Sequence, residues 1–455
     1  MSSYILASAS SQDPVPDECR TRAKKHCQLA LLIFALNLIS AILFIAFVNR
    51  PVYDDEYNIV DVHSYATNGA TSAAIREQRN APGPASYIWM ATAVRVLRGG
   101  ELRDARIGAA LSWVLLAGGT LAFVRYGAYA QEWCGAMLVL CVFPHAVEAT
   151  ATVLTEGPAL LFAILGALAW IEFSAREKTT AGSVALGIIG GLSMGIAVTS
   201  RQYFLALLPA AAFFAVWNFR LGDHRRSSLW KTCAALSLAL AALPVIVLAM
   251  IWKGATSPSM AAGATYANWQ IKAGANFFRP GAALLYTAVY LLPLSFPVML
   301  RLRRAWHWRA TPVAILAGLG AARFHSQLLQ PGPLRSGLYG IARGPVVVAV
   351  SFGVLVAIAM FNTFALAQTL WESKVVSLSR PAVTFALLAV AIFIAEQVGV
   401  GGNAPFYDRY MLQIAPFLGI ISFAAVQRLG YGRLAVLAGM SVLSHAILWR
   451  YAFGP

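Results

Sequence analysis

Residues 29–48 read LALLIFALNLISAILFIAFV, and the run breaks at once into Asn49-Arg50-Pro51-Val52-Tyr53-Asp54-Asp55-Glu56-Tyr57. An uninterrupted apolar stretch of about 20 residues matches the hydrocarbon thickness of a bilayer. Three adjacent carboxylates therefore fall where a hydrophobic helix leaves the membrane. Asp and Glu total only 19 in the 455-residue chain, and a charge facing lipid is costly, so a cluster of three requires a reason.

The rest of the composition agrees with a membrane chain. It is 59% hydrophobic and 12% charged, with a mean hydropathy of +0.65, which excludes an ordinary soluble protein and any large soluble domain. The fold expected is an all-α integral membrane protein, a helical bundle of about 11–13 spans. A tail over 1–28 precedes one transmembrane domain over 29–455. The basic residues Arg20, Arg22, Lys24 and Lys25 before residue 29 resemble the start of a signal peptide. The following run is too long for the roughly 7–15 residues of such a peptide and has no small-residue cleavage site, so it reads as an uncleaved first span.

The net charge of +16 lies largely beside apolar runs, where topology and anionic lipid explain it better than nucleic acid does. The five cysteines (Cys19, Cys27, Cys134, Cys141, Cys233) show neither paired nor metal-ligand spacing, so disulfides and a zinc site are not expected. Arg greatly outnumbers Lys and Ala is abundant, which fits a GC-rich bacterial source. The bacterial inner membrane is thus the favoured location, with the endoplasmic reticulum the alternative.

Thirteen apolar runs are candidate spans: 29–48, 105–124, 133–147, 157–173, 183–199, 203–217, 232–252, 282–300, 312–322, 346–367, 382–398, 411–427 and 434–449. The ninth is the weakest. With the tail inside, Arg125, Arg176, Arg220, Arg225, Arg226, Arg301, Arg303, Arg304, Arg309, Arg428 and Arg433 all fall in short cytoplasmic connections, as positive-inside topology requires. The first outer loop, 49–104, is too long for a connector. Within it, Pro84 to Leu97 reads as an interfacial helix or a short re-entrant span.

Polar residues recur at the same outer boundary. Asp54, Asp55 and Glu56 could take a proton from an attacking hydroxyl, or could simply be a solvated loop head beside Arg50. Glu156 opens the fourth span, either as a helix N-terminal charge or as a ligand for hydroxyls. Arg201 and Gln202 lie in a tight outer turn, and Arg409 and Tyr410 directly precede the twelfth span. Such arginines commonly snorkel to head groups, and they can also neutralise a lipid-linked phosphate. His63 near Asp61, and His145 near Glu148, are single pairs without a ligand set, so neither is assigned a metal.

In order along the chain, these features resemble the GT-C superfamily, multi-spanning glycosyltransferases that use polyprenyl-phosphate sugars and carry an acidic motif in the first outer loop. More narrowly, Tyr53-Asp54-Asp55-Glu56 resembles the aromatic-x-Asp-Glu motif of the dolichyl-phosphate-glucose-dependent α-1,2-glucosyltransferases, which places the family aspartate on Asp55. Pro82-Gly83-Pro84-Ala85-Ser86-Tyr87, Phe143-Pro144 with Leu154-Thr155-Glu156, Arg201-Gln202 and Asp408-Arg409-Tyr410 resemble later segments of that family. Tyr203-Phe204 departs from its Thr-Asn, and its Asn-Arg-His-Tyr cluster is missing.

The resemblance implies transfer of a sugar from a polyprenyl-phosphate donor to a hydroxyl of a glycan, lipid or protein, on the extracytoplasmic side. Asp55 would be the base of an inverting reaction, with Glu56 and Glu156 orienting hydroxyls and Arg201 or Arg409 holding the phosphate. The lipid-phosphate sugar is a co-substrate, and no further cofactor is called for. The rival from another class, a transporter or lipid flippase, predicts mid-span charges and repeated halves. Here the acids collect at outer ends and no repeat is visible.

Overall fold

The computed structural model describes residues 17–80, 83–127, 129–176, 180–221, 228–254, 257–259, 276–301, 304–329, 333–372, 380–399, 406, 408–426 and 431–453. All regular structure among them is helical. In chain order the helices are α1 (Asp17–Phe47), α2 (Tyr53–Asn68), α3 (Ser72–Glu77), α4 (Pro84–Leu97), α5 (Glu101–Tyr126), α6 (Ala130–Val142) and α7 (Ala146–Ala151). They continue with α8 (Glu156–Ala175), α9 (Ala181–Ser200), α10 (Leu207–Leu221), α11 (Ser228–Trp252), α12 (Phe278–Ser295), α13 (Arg304–Arg323) and α14 (His325–Leu328). The last are α15 (Pro333–Ile341), α16 (Pro345–Glu372), α17 (Pro381–Glu396), α18 (Ala415–Ala425) and α19 (Tyr431–Phe453). Short 3-10 turns at Gln202–Ala206, Phe296–Arg301 and Asp408–Gln413 lead into or out of α10, α12 and α18.

Among the described residues, eight helices are long and apolar enough to cross a membrane: α1, α5, α8, α9, α11, α12 with its trailing turn, α16 and α19. Four more are apolar but shorter, namely α6, α10 with its leading turn, α17 and α18. The weak ninth run lies in α13, a 20-residue helix carrying Arg304, Arg309 and Arg323. The protein is a multi-spanning helical membrane protein.

The outer helices show which face meets lipid. On α1, Leu32, Leu36, Ile39 and Phe47 are exposed, while Ala30, Ile33, Asn37, Ala41 and Phe44 are buried. Both faces are apolar, so burial is decided by neighbours and not by amphipathicity. The centre is α8, buried along almost its whole length and packed against α9 and α5.

Two expected spans differ most from what forms, while 203–217 also opens in a 3-10 turn, Gln202–Ala206. The run 133–147 breaks after Val142 and becomes helical again only at Ala146, in α7, because Pro144 cannot continue the ladder of hydrogen bonds. The run 411–427 begins as a 3-10 turn and becomes α-helical only at Ala415, next to Pro416. At 1.5 Å per residue, α6 and α18 reach roughly 20 Å or less, short of a bilayer core. Both are nearly fully buried, and they pack against each other. Their short length therefore leaves non-helical backbone at 143–145 and 152–155, on either side of the short α7, and the 3-10 turn Asp408–Gln413 inside the protein. Non-helical backbone at such depth is tolerated only where protein covers it or where it lines a cavity. A further irregular stretch, at Arg201, follows the end of α9.

The loop 49–104, expected outside, folds back over these stretches. α4 begins with Gly83 as N-cap and Pro84 in its first turn, a start that costs no backbone hydrogen bond. It does not float on a lipid surface: Ser86, Tyr87, Met90 and Ala91 are buried against α5, α2, α9 and α8. α3 docks on the far end of α11, with Trp252 Nε1 donating to the Ile75 carbonyl at 2.8 Å and Arg76 Nε donating to Ile251 at 2.9 Å.

Candidate active site

Asp55 is the third residue of α2, and its Oδ2 accepts the Val52 N–H at 3.1 Å, as an acid at that position does when it caps its own helix. The carboxylate is fully buried. Arg106, from the first turns of α5, donates to Oδ2 from Nη2 at 2.6 Å and from Nε at 3.2 Å. Arg106 also donates to the carbonyls of Val48 at 2.5 Å and Arg50 at 2.8 Å, closing the open end of α1, and it lies over the Phe44 ring at 5.2 Å. The other oxygen, Oδ1, accepts the Val153 N–H at 2.5 Å. Burial pushes the Asp55 carboxyl above the ordinary aspartate range, against the opposing pull of the Arg106 charge and the two backbone donors. The side chains of Asp54 and Glu56 lie outside the described residues.

Val153 is gripped from both sides. Its N–H goes to Asp55, and its carbonyl accepts Asn58 Nδ2 at 2.8 Å, while Asn58 Oδ1 accepts the Tyr87 hydroxyl at 2.8 Å. Two residues on, the Thr155 carbonyl accepts the Ser86 hydroxyl at 2.9 Å. The loop 152–155 is thereby fixed to α2 and α4, and it delivers Glu156 at the head of α8.

Glu156 is buried, and its Oε1 accepts Arg201 Nη2 in an ion pair. Arg201 reaches it because α9 ends there, and because Gly83 N–H donates to the Ser200 carbonyl at 3.0 Å. A Cβ at Gly83 would lie 1.9 Å from the Thr199 carbonyl oxygen, so only glycine permits this approach. Burial first, and the nearby Arg409 charge second, hold the Arg201 guanidinium below its usual pKa. Guanidinium nonetheless stays charged at any physiological pH, so Arg201 pairs with Glu156 while a second cation, Arg409, lies close by.

Tyr203 and Tyr410 stand against each other beside these arginines, ring centres 4.7 Å apart. Arg279, from the first turn of α12, is buried beneath them. It donates to the Tyr203 hydroxyl at 3.2 Å and to Gln397 Oε1 at 3.1 Å, and lies over Phe406 and Tyr410 at 5.8 and 6.0 Å. Gln202 opens the 3-10 turn behind Arg201 and is half-buried.

Of the residues singled out in the sequence, Glu156, Arg201, Arg409 and Tyr410 come together where the irregular segments meet, and Asp55 is joined to them through the loop 152–155, its Oδ1 taking the Val153 N–H. Sequence reasoning missed Arg106 and Arg279. Arg106 carried a usable signal, an arginine already within the start of the apolar run 105–124, where a partner is to be expected. Arg279, at the edge of a span, looked like any snorkelling residue. His63 and His145 each face one carboxylate, Glu101 at 2.9 Å and Glu148 at 2.7 Å.

A family model described as dolichyl-phosphate-mannose-protein mannosyltransferase matches residues 89–253, about a third of the chain. That segment contains Arg106, Val153, Glu156 and Arg201. The structure is similar to ArnT from Cupriavidus metallidurans bound to undecaprenyl phosphate, at 16% identity and a TM-score of 0.44, covering 93% of this chain and 77% of that one. It is also similar to ArnT of the same organism in the apo state, at 16% identity and a TM-score of 0.39, covering 92% and 77%. No curated protein sequence matches the chain.

Proposed function

We propose that this protein is a GT-C-type glycosyltransferase that moves a sugar from a polyprenyl-phosphate donor to a hydroxyl acceptor at the extracytoplasmic face of a membrane, the bacterial inner membrane being favoured. The observation that carries the reading is the buried Arg201–Glu156 pair beside Arg409, joined through the loop 152–155 to Asp55. The matched family model supports the same chemistry, since its description names a dolichyl-phosphate sugar. That description points to mannose, whereas the motif order resembles glucose-dependent relatives. Their common denominator is a hexose on a polyprenyl phosphate.

In the proposed reaction an acceptor hydroxyl attacks the anomeric carbon as its proton passes to a carboxylate of the segment 54–56. The bond from that carbon to the phosphate oxygen breaks, and its electron pair stays on the phosphate. The donor phosphate carries one negative charge and the departing lipid phosphate up to two, so cations that gain most from the second charge lower the barrier. Arg201, paired with Glu156, and the nearby Arg409 suit that role. Asp55 is the acid that the resemblance selects as base, and burial raises its proton affinity toward that of a competent base. To serve, its Oδ1 must receive the acceptor hydroxyl beside the Val153 N–H.

The test uses purified protein in lipid nanodiscs with radiolabelled polyprenyl-phosphate mannose and glucose and a membrane extract as acceptor. Label should appear in the acceptor fraction with release of polyprenyl phosphate, and Arg201→Ala should weaken donor use. Absence of both transfer and lipid-phosphate binding, together with unaltered cellular glycans after deletion, would reject the function.

A further inference from the structure

Gln413 closes the 3-10 turn Asp408–Gln413 and is 1% exposed, yet neither its Oε1 nor its Nε2 has a hydrogen-bond partner among the described residues. A buried amide left idle on both ends is uncommon and costs free energy on folding. A second idle atom lies in the same centre. Glu156 gives Oε1 to Arg201, and its Oε2 is buried without a partner among the described residues.

The backbone relates the two. A 3-10 turn has three residues per repeat, so Gln413 falls in register with Tyr410, about 6 Å further along the axis. Tyr410 packs on Tyr203, two residues after Arg201, and the turn 408–413 packs against both α8 and α12. The idle amide is thus one turn beyond the arginine and tyrosine centre, and the idle carboxylate oxygen is within it.

We propose that Gln413 and Glu156 Oε2 form the hydroxyl-binding subsite for the donor's sugar and set which sugar is accepted. The inference rests on the glycosyltransferase reading. Its chemical logic is complementarity: arginines take the phosphate, whereas a carboxylate oxygen and an amide carbonyl repel it. A carboxylate accepts and an amide both donates and accepts, which is the set that adjacent ring hydroxyls require. A site built to hydrogen-bond hydroxyls discriminates strongly, because a sugar lacking one leaves buried groups unpaired.

The experiment measures binding of two kinds of probe to the full-length protein in nanodiscs: bare undecaprenyl phosphate, and undecaprenyl-phosphate-linked glucose, mannose and galactose. Wild type should bind at least one sugar-bearing lipid more tightly than the bare lipid. Gln413→Met should erase about 10- to 100-fold of that gain, leave bare-lipid affinity unchanged, and melt no lower than wild type, because it removes an unsatisfied buried group. Gln413→Glu, which keeps the acceptor, should retain part of the gain. The subsite is overturned if Gln413→Met keeps the sugar preference, if it lowers stability without touching that preference, or if wild type binds no tested sugar better than the bare lipid. Failure of wild type to bind even the bare lipid would instead count against the glycosyltransferase reading.

Discussion

Asp55 combines two demands that pull in opposite directions. As the partner of Arg106 and of two backbone N–H groups it ties the end of α1, the start of α2 and the loop before α8 into one unit. As a base it must be free to take a proton. Asp55→Asn, which keeps the shape, should lower transfer by roughly 10²–10⁴-fold, with lipid-phosphate binding retained. Asp54→Asn and Glu56→Gln, measured alongside, decide which acid of the segment is the base. A near wild-type rate for Asp55→Asn would leave it only the structural role.

The pH dependence follows with a definite sign. Burial raises the Asp55 pKa, so acidification protonates it before an ordinary aspartate and the rate should fall on the acid side above the usual aspartate range. Removing the positive partner raises the pKa further, so Arg106→Gln should move the acid limb to higher pH, whereas Arg106→Lys should shift it less. Breaking a buried pair also costs about 3–5 kcal/mol, which a melting curve of Arg106→Gln should show.

Among the elements, α2 and α4 act as a latch on the loop 152–155, and the latch was only partly legible. The sequence located α4, its proline start and its aromatic content. That α4 is clamped between α2 and α9 depends on Tyr87 to Asn58 to Val153 and on Gly83 to Ser200, contacts between residues far apart in the chain. Asn58→Leu should unlatch the loop and leave the Val153 carbonyl unpaired, at a cost of about 1–3 kcal/mol in stability, with a loss of transfer. Gly83→Ala should do more, since its methyl would overlap the Thr199 carbonyl and displace Arg201 from Glu156. Unchanged melting and activity in both variants would show that the latch does not position the site. The same limit explains the run 133–147, where hydropathy continues past Pro144 while the hydrogen-bond ladder cannot.

For the whole molecule, the contacts test the order of crossings. α3 of the loop 49–104 touches the last turn of α11, and the Asn276 N–H, before α12, donates to the Val398 carbonyl after α17 at 2.8 Å. Each pair lies on one side only if an even number of crossings separates its members, as the expected spans give: six for the first pair and four, counting the weak α13, for the second. Cysteines introduced at Ser72 and Ser228, at opposite ends of this arrangement, should therefore react with an impermeant reagent from opposite sides of the membrane. Labelling from the same side would break it.

By itself the sequence determined that the chain is a helical membrane protein, roughly where each helix runs, and which polar residues share a boundary. Those properties follow from local hydropathy and from the cost of charge in lipid, both readable one residue at a time. Tertiary structure alone decided which face of each helix is buried, that Arg106 pairs with Asp55 and Arg279 with Tyr203, and that Asp55 holds the loop that delivers Glu156. In helices that are apolar all round, periodicity cannot choose a face, and an arginine acquires its role only when packing brings its partner across the bundle.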